Sequence, residues 1–217
     1  MSPRGVMRVG LSAGLLVVAL GSEVLAEEPS PEPPPWFGGR VEMPEHGFAV
    51  TLPDDWVVFD TSVDFWSQFE AASGFIDPVA WSASVGGLED EFALMPSNGV
   101  RLYAAHATGV HSCGVVEYPN ADVPLDFMAT FVFEMYDEDP LARVEQPQSI
   151  DLPAGPAYLL RMSEQSYPDV DVWEPSSAYL LGKDETLLAA YCTTEGARPE
   201  DDWLSIVETI EFLPADG

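Results

Sequence analysis

Positive charge is almost missing from this chain. Lys183 is the sole lysine, and 8 basic residues stand against 37 acidic ones. A surface of that sign repels nucleic acid and anionic lipid headgroups, so neither is expected as a partner. Cysteine is nearly absent too, with Cys113 and Cys192 alone. That excludes a disulfide-dense miniprotein and any C-x-x-C metal or redox motif. No phosphate-binding glycine loop and no H-E-x-x-H is present. The single match to a G-x-S-x-G nucleophile elbow, Gly10-Leu11-Ser12-Ala13-Gly14, sits in the N-terminal apolar run and not between a strand and a helix. Long apolar stretches are also lacking. The run Leu11 to Leu20 is too short to span a bilayer, and no second one follows.

What is there begins with that short run. Arg4 and Arg8 precede it, and Val24-Leu25-Ala26 supplies small residues for cleavage. Residues 1–26 therefore read as a signal peptide, and the mature chain is expected outside the cell or in its envelope, with no transmembrane segment after cleavage. A retained N-terminal anchor is the alternative. Residues 27–35, EEPSPEPPP, cannot build a core and are expected to form an extended linker. We place the Pro/Glu-rich linker at 27–40, with folded chain starting near Trp36, and a single domain at 41–214. Cleavage would remove two arginines and Glu23 and leave 6 basic and 36 acidic residues, net −30. The acidic residues are scattered. This fits a general solubility adaptation, with attraction of cations or a basic partner as the other reading. In an exported chain, the even cysteine count points to a Cys113–Cys192 disulfide worth roughly 3–5 kcal/mol. Two buried free thiols are the alternative.

Hydrophobic periodicity gives the elements. Phe48, Val50 and Leu52 alternate, which predicts a half-buried strand. Pro53-Asp54-Asp55 predicts a turn, and Trp56 to Phe59 a second strand. Val63, Phe65, Trp66 and Phe69 fall at helical spacing, and a further helical piece is expected from Leu88 to Met95. Strands follow at Val100 to Ala105 and Cys113 to Tyr118, and a helix at Pro124 to Tyr136. A strand from Arg143 to Leu152 leads to the Pro153-Ala154-Gly155-Pro156 turn, and a strand from Ala157 to Met162 follows. Ala178 to Leu181, the turn Gly182-Lys183-Asp184-Glu185 and Thr186 to Cys192 form a hairpin. Trp203, Ile206, Val207 and Ile210 mark a last helix starting near Pro199 and buried on one side, before a short strand-like Glu211-Phe212-Leu213. Antiparallel hairpins with helices between them predict an α+β domain with an antiparallel sheet.

The motif Phe48-Ala49-Val50-Thr51-Leu52-Pro53-Asp54-Asp55-Trp56 resembles the FxVxLPxxW opening of the PsbP-like superfamily. The Leu152 to Ala157 turn and the Ile206 to Pro214 close resemble exported actinobacterial members and LpqN-type lipoproteins, across most of residues 45–214. The resemblance implies an α/β/α sandwich, a central antiparallel sheet flanked by helices. It implies binding or accessory work on another envelope or extracellular protein and carries no catalytic residues. The lipid-attachment cysteine of LpqN-type proteins is missing here.

Candidate chemistry is sparse. His106 and His111 would need a turn to bring them together, with a carboxylate, before they could hold a metal. His46 is the third histidine. Cys113, beside His111, could act as a nucleophile only if free and activated. Among the acidic clusters, Asp169 and Asp171 with Glu174 are the best calcium candidates, against a reading as solvated loops. Glu89-Asp90-Glu91 and Asp137-Glu138-Asp139 are weaker. A hydrolase would need two carboxylates converging in a cleft, and the surplus of acids gives no way to select them. Trp56, Trp66 and Trp203 fit core positions; Trp36 and Trp173 could anchor a partner or pack at an edge. No catalytic residue and no cofactor is assigned. The expected function is an exported, non-enzymatic binding or accessory protein, with a secreted carboxylate hydrolase or a cation-binding protein as alternatives.

Overall fold

The computed structural model describes residues 36–76, 92–118, 123–165, 172–183, 186–194 and 196–214. They build one antiparallel sheet whose strands are β1 (Trp36–Met43), β2 (Phe48–Asp60), β3 (Val100–His106), β4 (His111–Tyr118), β5 (Ala142–Val144), β6 (Gln148–Leu152), β7 (Gly155–Glu164), β8 (Glu174–Lys183), β9 (Thr186–Thr194) and β10 (Glu211–Phe212). The order across the sheet is β1-β2-β3-β4-β9-β8-β7-β5. Two long strands each serve two neighbours on one edge. β2 takes β10 at Phe48 and Ala49 and β3 from Trp56 to Asp60. β7 takes β6 along its first half and β5 along its second.

Three helices among the described residues cover the sheet: α1 (Phe65–Ala72), α2 (Leu125–Asp137) and α3 (Glu200–Val207). Each starts for a local reason. Asp64 caps α1 by accepting from the Ser67 backbone N–H at 2.9 Å. The buried amide of Gln68 then ties α1 to the end of β2, accepting from Asp60 N–H and donating to Asp60 and Val63 carbonyls. Glu200, Asp201 and Asp202 crowd the first turn of α3, where the helix dipole favours negative charge. Pro124 precedes α2 with its backbone preset.

Alternation along the strands sends neighbouring residues to opposite faces. One face gathers Val50, Leu52, Trp56, Val58, Val115, Tyr179, Leu181, Leu188 and Cys192 under Trp203, Ile206 and Val207 of α3. The other gathers Val57, Phe59, Val116, Leu160, Leu180 and Ala189 under Phe65 of α1 and Ala129, Val132 and Tyr136 of α2. With helices on both faces, the α+β fold anticipated from the sequence is the fold observed.

Several local expectations change. No turn forms at Pro53-Asp54-Asp55; β2 runs through it as one strand of 13 residues. The registry instead breaks against β1, between Phe37↔Val57 and Gly39↔Leu52. Gly38 makes that bulge possible. It sits at φ +56, and a Cβ there would meet the Asp54 Cα at 2.6 Å. β1 starts at Trp36, so residues 36–40 of the expected linker lie in the sheet. Trp66 is not a core residue; it stands 42% exposed because its neighbour Phe65 takes the buried face of α1. Of the helical piece expected from Leu88 to Met95, residues 88–91 lie outside the described residues, Phe92 is helical and 93–95 form turns, with Phe92 and Met95 buried. Cys113 and Cys192 are directly opposed on β4 and β9 and form the disulfide, with Cα atoms 4.1 Å apart. That removes Cys113 as a nucleophile. No helix among the described residues is long and apolar enough to cross a membrane.

Candidate functional site

The main feature of the α1/α2 face is a cavity of about 170 Å³ between α2, the sheet and the segment leading into β3. Its floor follows from strand alternation. Ser112, Gly114, Val116 and Tyr118 of β4, Ala189, Tyr191 and Thr193 of β9, and Ala178 and Leu180 of β8 all point to this side. Glycine and alanine at three of these positions leave the floor low. Val132, Met135 and Tyr136 of α2 form one wall, and Leu94, Met95 and Asn98 the other. Among the described residues, no aspartate, glutamate, lysine or arginine lines it.

One end of the cavity is polar. Tyr191 donates a short hydrogen bond to the Glu164 carboxylate, and Tyr136 Oη lies 3.5 Å from Tyr191 Oη. Ser176 Oγ lies 3.4 Å from Tyr191 Oη and 3.5 Å from Glu164 Oε1. Burial raises the Glu164 carboxyl above its ordinary range; the hydrogen bonds from Tyr191 and Ser176 oppose this, and Asp139 and Glu174 add to it. Burial likewise raises the Tyr118, Tyr136 and Tyr191 phenols, so all three stay neutral hydrogen-bonding groups. Sequence reading missed Glu164, Tyr136 and Tyr191. They come from three separate elements, and no spacing rule links them.

The residues anticipated from the sequence sit elsewhere. The β3–β4 hairpin does bring His106 and His111 together, with ring centroids 5.7 Å apart. Asp55, on the bulge of β2, lies 3.0 Å from His106 Nε2, and Thr108 and Thr194 occupy His106 Nδ1 and His111 Nδ1 at 2.7 Å. Burial, then the neighbouring His106, lowers the His111 pKa. These partners hold the rings in hydrogen bonds, and no group of three or more potential ligands poised for a metal occurs among the described residues. His46 and Arg101 both engage Glu117, at 3.0 and 2.9 Å. Of the calcium candidates, Asp169 and Asp171 lie outside the described residues, as do Glu89, Asp90 and Glu91. Glu174 opens β8 opposite Glu164. Trp173 packs under the Arg143 guanidinium, 3.6 Å from its ring centroid.

No family model matches the chain, and no curated protein matches it. Among solved structures, cyanobacterial PsbP (CyanoP) from Synechocystis sp. PCC 6803 is similar over 89% of this chain and 98% of its own, with a TM-score of 0.50 and 12% identity. A crystal structure from Bacteroides thetaiotaomicron aligns over 84% of this chain and 51% of its own, with a TM-score of 0.48 and 9% identity. The apo immunity protein TplEi of a type VI secretion system from Pseudomonas aeruginosa aligns over 55% and 47%, with a TM-score of 0.39 and 10% identity. The first likeness shows the fold, which is PsbP-like.

Proposed function

We propose that the protein is an exported, non-enzymatic binding module that holds a small apolar molecule in the cavity beneath α2. The observation that carries this is the lining: aliphatic and aromatic side chains with a few polar atoms at one end, the composition of a ligand pocket. The hydrolase alternative needs two carboxylates converging on one cleft, and among the described residues the cavity lining supplies none. Its size suits a ligand of about one aromatic ring, since a cavity of roughly 150 Å³ admits benzene. Export is supported by the leader pattern and by the disulfide. The expected partner is another envelope or extracellular protein, and kinship with exported actinobacterial and LpqN-type proteins belongs to the same reading. Leu94, which lines the cavity and is 58% exposed, gives that partner an apolar point of contact beside the ligand.

The test is titration of the mature chain with toluene, a single uncharged ring, by isothermal titration calorimetry. Val132→Phe and Ala189→Leu fill the cavity from wall and floor. Each should weaken toluene binding about tenfold or more, while circular dichroism shows the fold kept. Unchanged affinity in both folded variants would place the toluene elsewhere and end the cavity reading.

A further inference from the structure

The polar end of the cavity has an unusual balance of charge. Its one ionisable acid, Glu164, sits just behind the lining, reached through Tyr191 and Tyr136. The groups acting on it are Tyr191, Ser176, Asp139 and Glu174. All are neutral or acidic. Among the described residues, no lysine or arginine lines the cavity. Four tyrosines, Tyr103, Tyr118, Tyr136 and Tyr191, contribute to its lining. The chain as a whole carries a net charge of −29. A carboxyl held behind neutral hydroxyls, beside a tyrosine-lined cavity in an acidic protein, is a place for positive charge.

We propose that the ligand of this cavity is a small apolar amine, its ammonium set against the Tyr136 and Tyr191 hydroxyls with Glu164 behind them as countercharge. This rests on the cavity being the ligand site. An alcohol of the same shape would fill the apolar part and leave the acid uncompensated. A carboxylate would meet Glu164, Asp139 and Glu174 as like charges. Tyr191 donates to Glu164 and Tyr136 donates to Tyr191, and each oxygen keeps a lone pair for an ammonium, because each hydroxyl has one proton and two lone pairs. The apolar wall of Val132, Met135 and Leu180 takes the carbon skeleton.

Isothermal titration calorimetry of the mature chain with benzylamine, benzyl alcohol and benzoate separates the possibilities. Benzylamine should bind at least about tenfold tighter than benzyl alcohol, and benzoate more weakly than either. Glu164→Gln and Tyr191→Phe should each erase the amine preference, bringing the benzylamine and benzyl alcohol affinities together, while circular dichroism shows the fold kept. The preference should also survive high salt, because it comes from a buried contact and not from the long-range field of the surface. An amine preference that persists in both variants, or disappears with salt in the wild type, overturns the assignment to Glu164. If toluene binds but benzylamine and benzyl alcohol bind alike, the amine proposal fails and the cavity reading stands. If toluene and all three probes fail to bind, both fall.

Discussion

The two faces of the sheet are built from the same strands and differ in what they leave open. Leu188, Ala190 and Cys192 of β9 point to the α3 side; Ala189 and Tyr191, between them, point to the α2 side. On the α3 side the disulfide, Trp203, Ile206 and Val207 fill the layer, and Trp203 is fully buried. On the α2 side small residues on the floor and a helix set over them leave a cavity ending in a buried acid. One face is a packed core that holds the sheet. The other combines packing with a space that a ligand can use. The contrast arises because α3 docks with a tryptophan pointing inward, whereas α2 presents valine, methionine and tyrosine above alanine and glycine.

The largest effects should come from the sealed face. Trp203→Ala should cost about 3–5 kcal/mol, read as a lower urea midpoint at unchanged slope. Among the described residues Trp203 Nε1 has no hydrogen-bond partner, so the loss is one of packing. A loss below about 1 kcal/mol would mean that α3 is loosely docked and the contrast between the faces is overstated. Removing the disulfide with Cys113→Ala and Cys192→Ala together should cost roughly 2–5 kcal/mol, because the bridge closes a separation of 79 residues. Reduction of the wild type should match the double variant in a thermal melt.

A matched pair of enlargements compares the faces directly. Ala190→Leu overpacks the sealed side and should cost about 1–3 kcal/mol. Ala189→Leu grows into the cavity and should change stability by less than about 1 kcal/mol, in either direction. Equal costs at these adjacent residues would show that the cavity side is packed as tightly as the other. The smallest effect is in pH dependence. Glu164 is held above the ordinary carboxyl range, chiefly by burial. A group with a raised folded-state value contributes stability that is fully present below its unfolded value and lost as pH rises through the folded one. Urea midpoints of the wild type should therefore fall relative to Glu164→Gln as pH rises above the ordinary carboxyl value of about 4. Parallel curves would mean that Glu164 is not effectively buried.

Much of the fold was legible because its signals are local. Phe48, Val50 and Leu52 announced a strand by alternation, and Trp203, Ile206, Val207 and Ile210 announced a helix by spacing. The 153–156 turn joins β6 to β7 as read, with Leu152 opposite Gly155. Misreadings fell where a distant partner decides. Pro53-Asp54-Asp55 has turn chemistry, but Gly38 on the neighbouring strand lets the chain continue as a bulged strand. Trp66 has the spacing of a core residue, yet Phe65 took that place. His106 and His111 were read as needing a turn to meet; the β3–β4 hairpin supplies it and sets the two rings edge to face, 5.7 Å apart.

By itself, then, the sequence determined the compositional and periodic properties: an acidic chain, an export-type leader pattern, an antiparallel α+β domain and two cysteines suited to a bridge. These rest on short-range rules of charge, spacing and backbone preference. Tertiary structure alone decided that β4 lies beside β9, so that Cys113 meets Cys192. It alone brought Glu164, Tyr136, Ser176 and Tyr191 from β7, α2, β8 and β9 to the end of one cavity. Cavities and buried acids depend on how separate elements pack, and no stretch of sequence carries that information within itself.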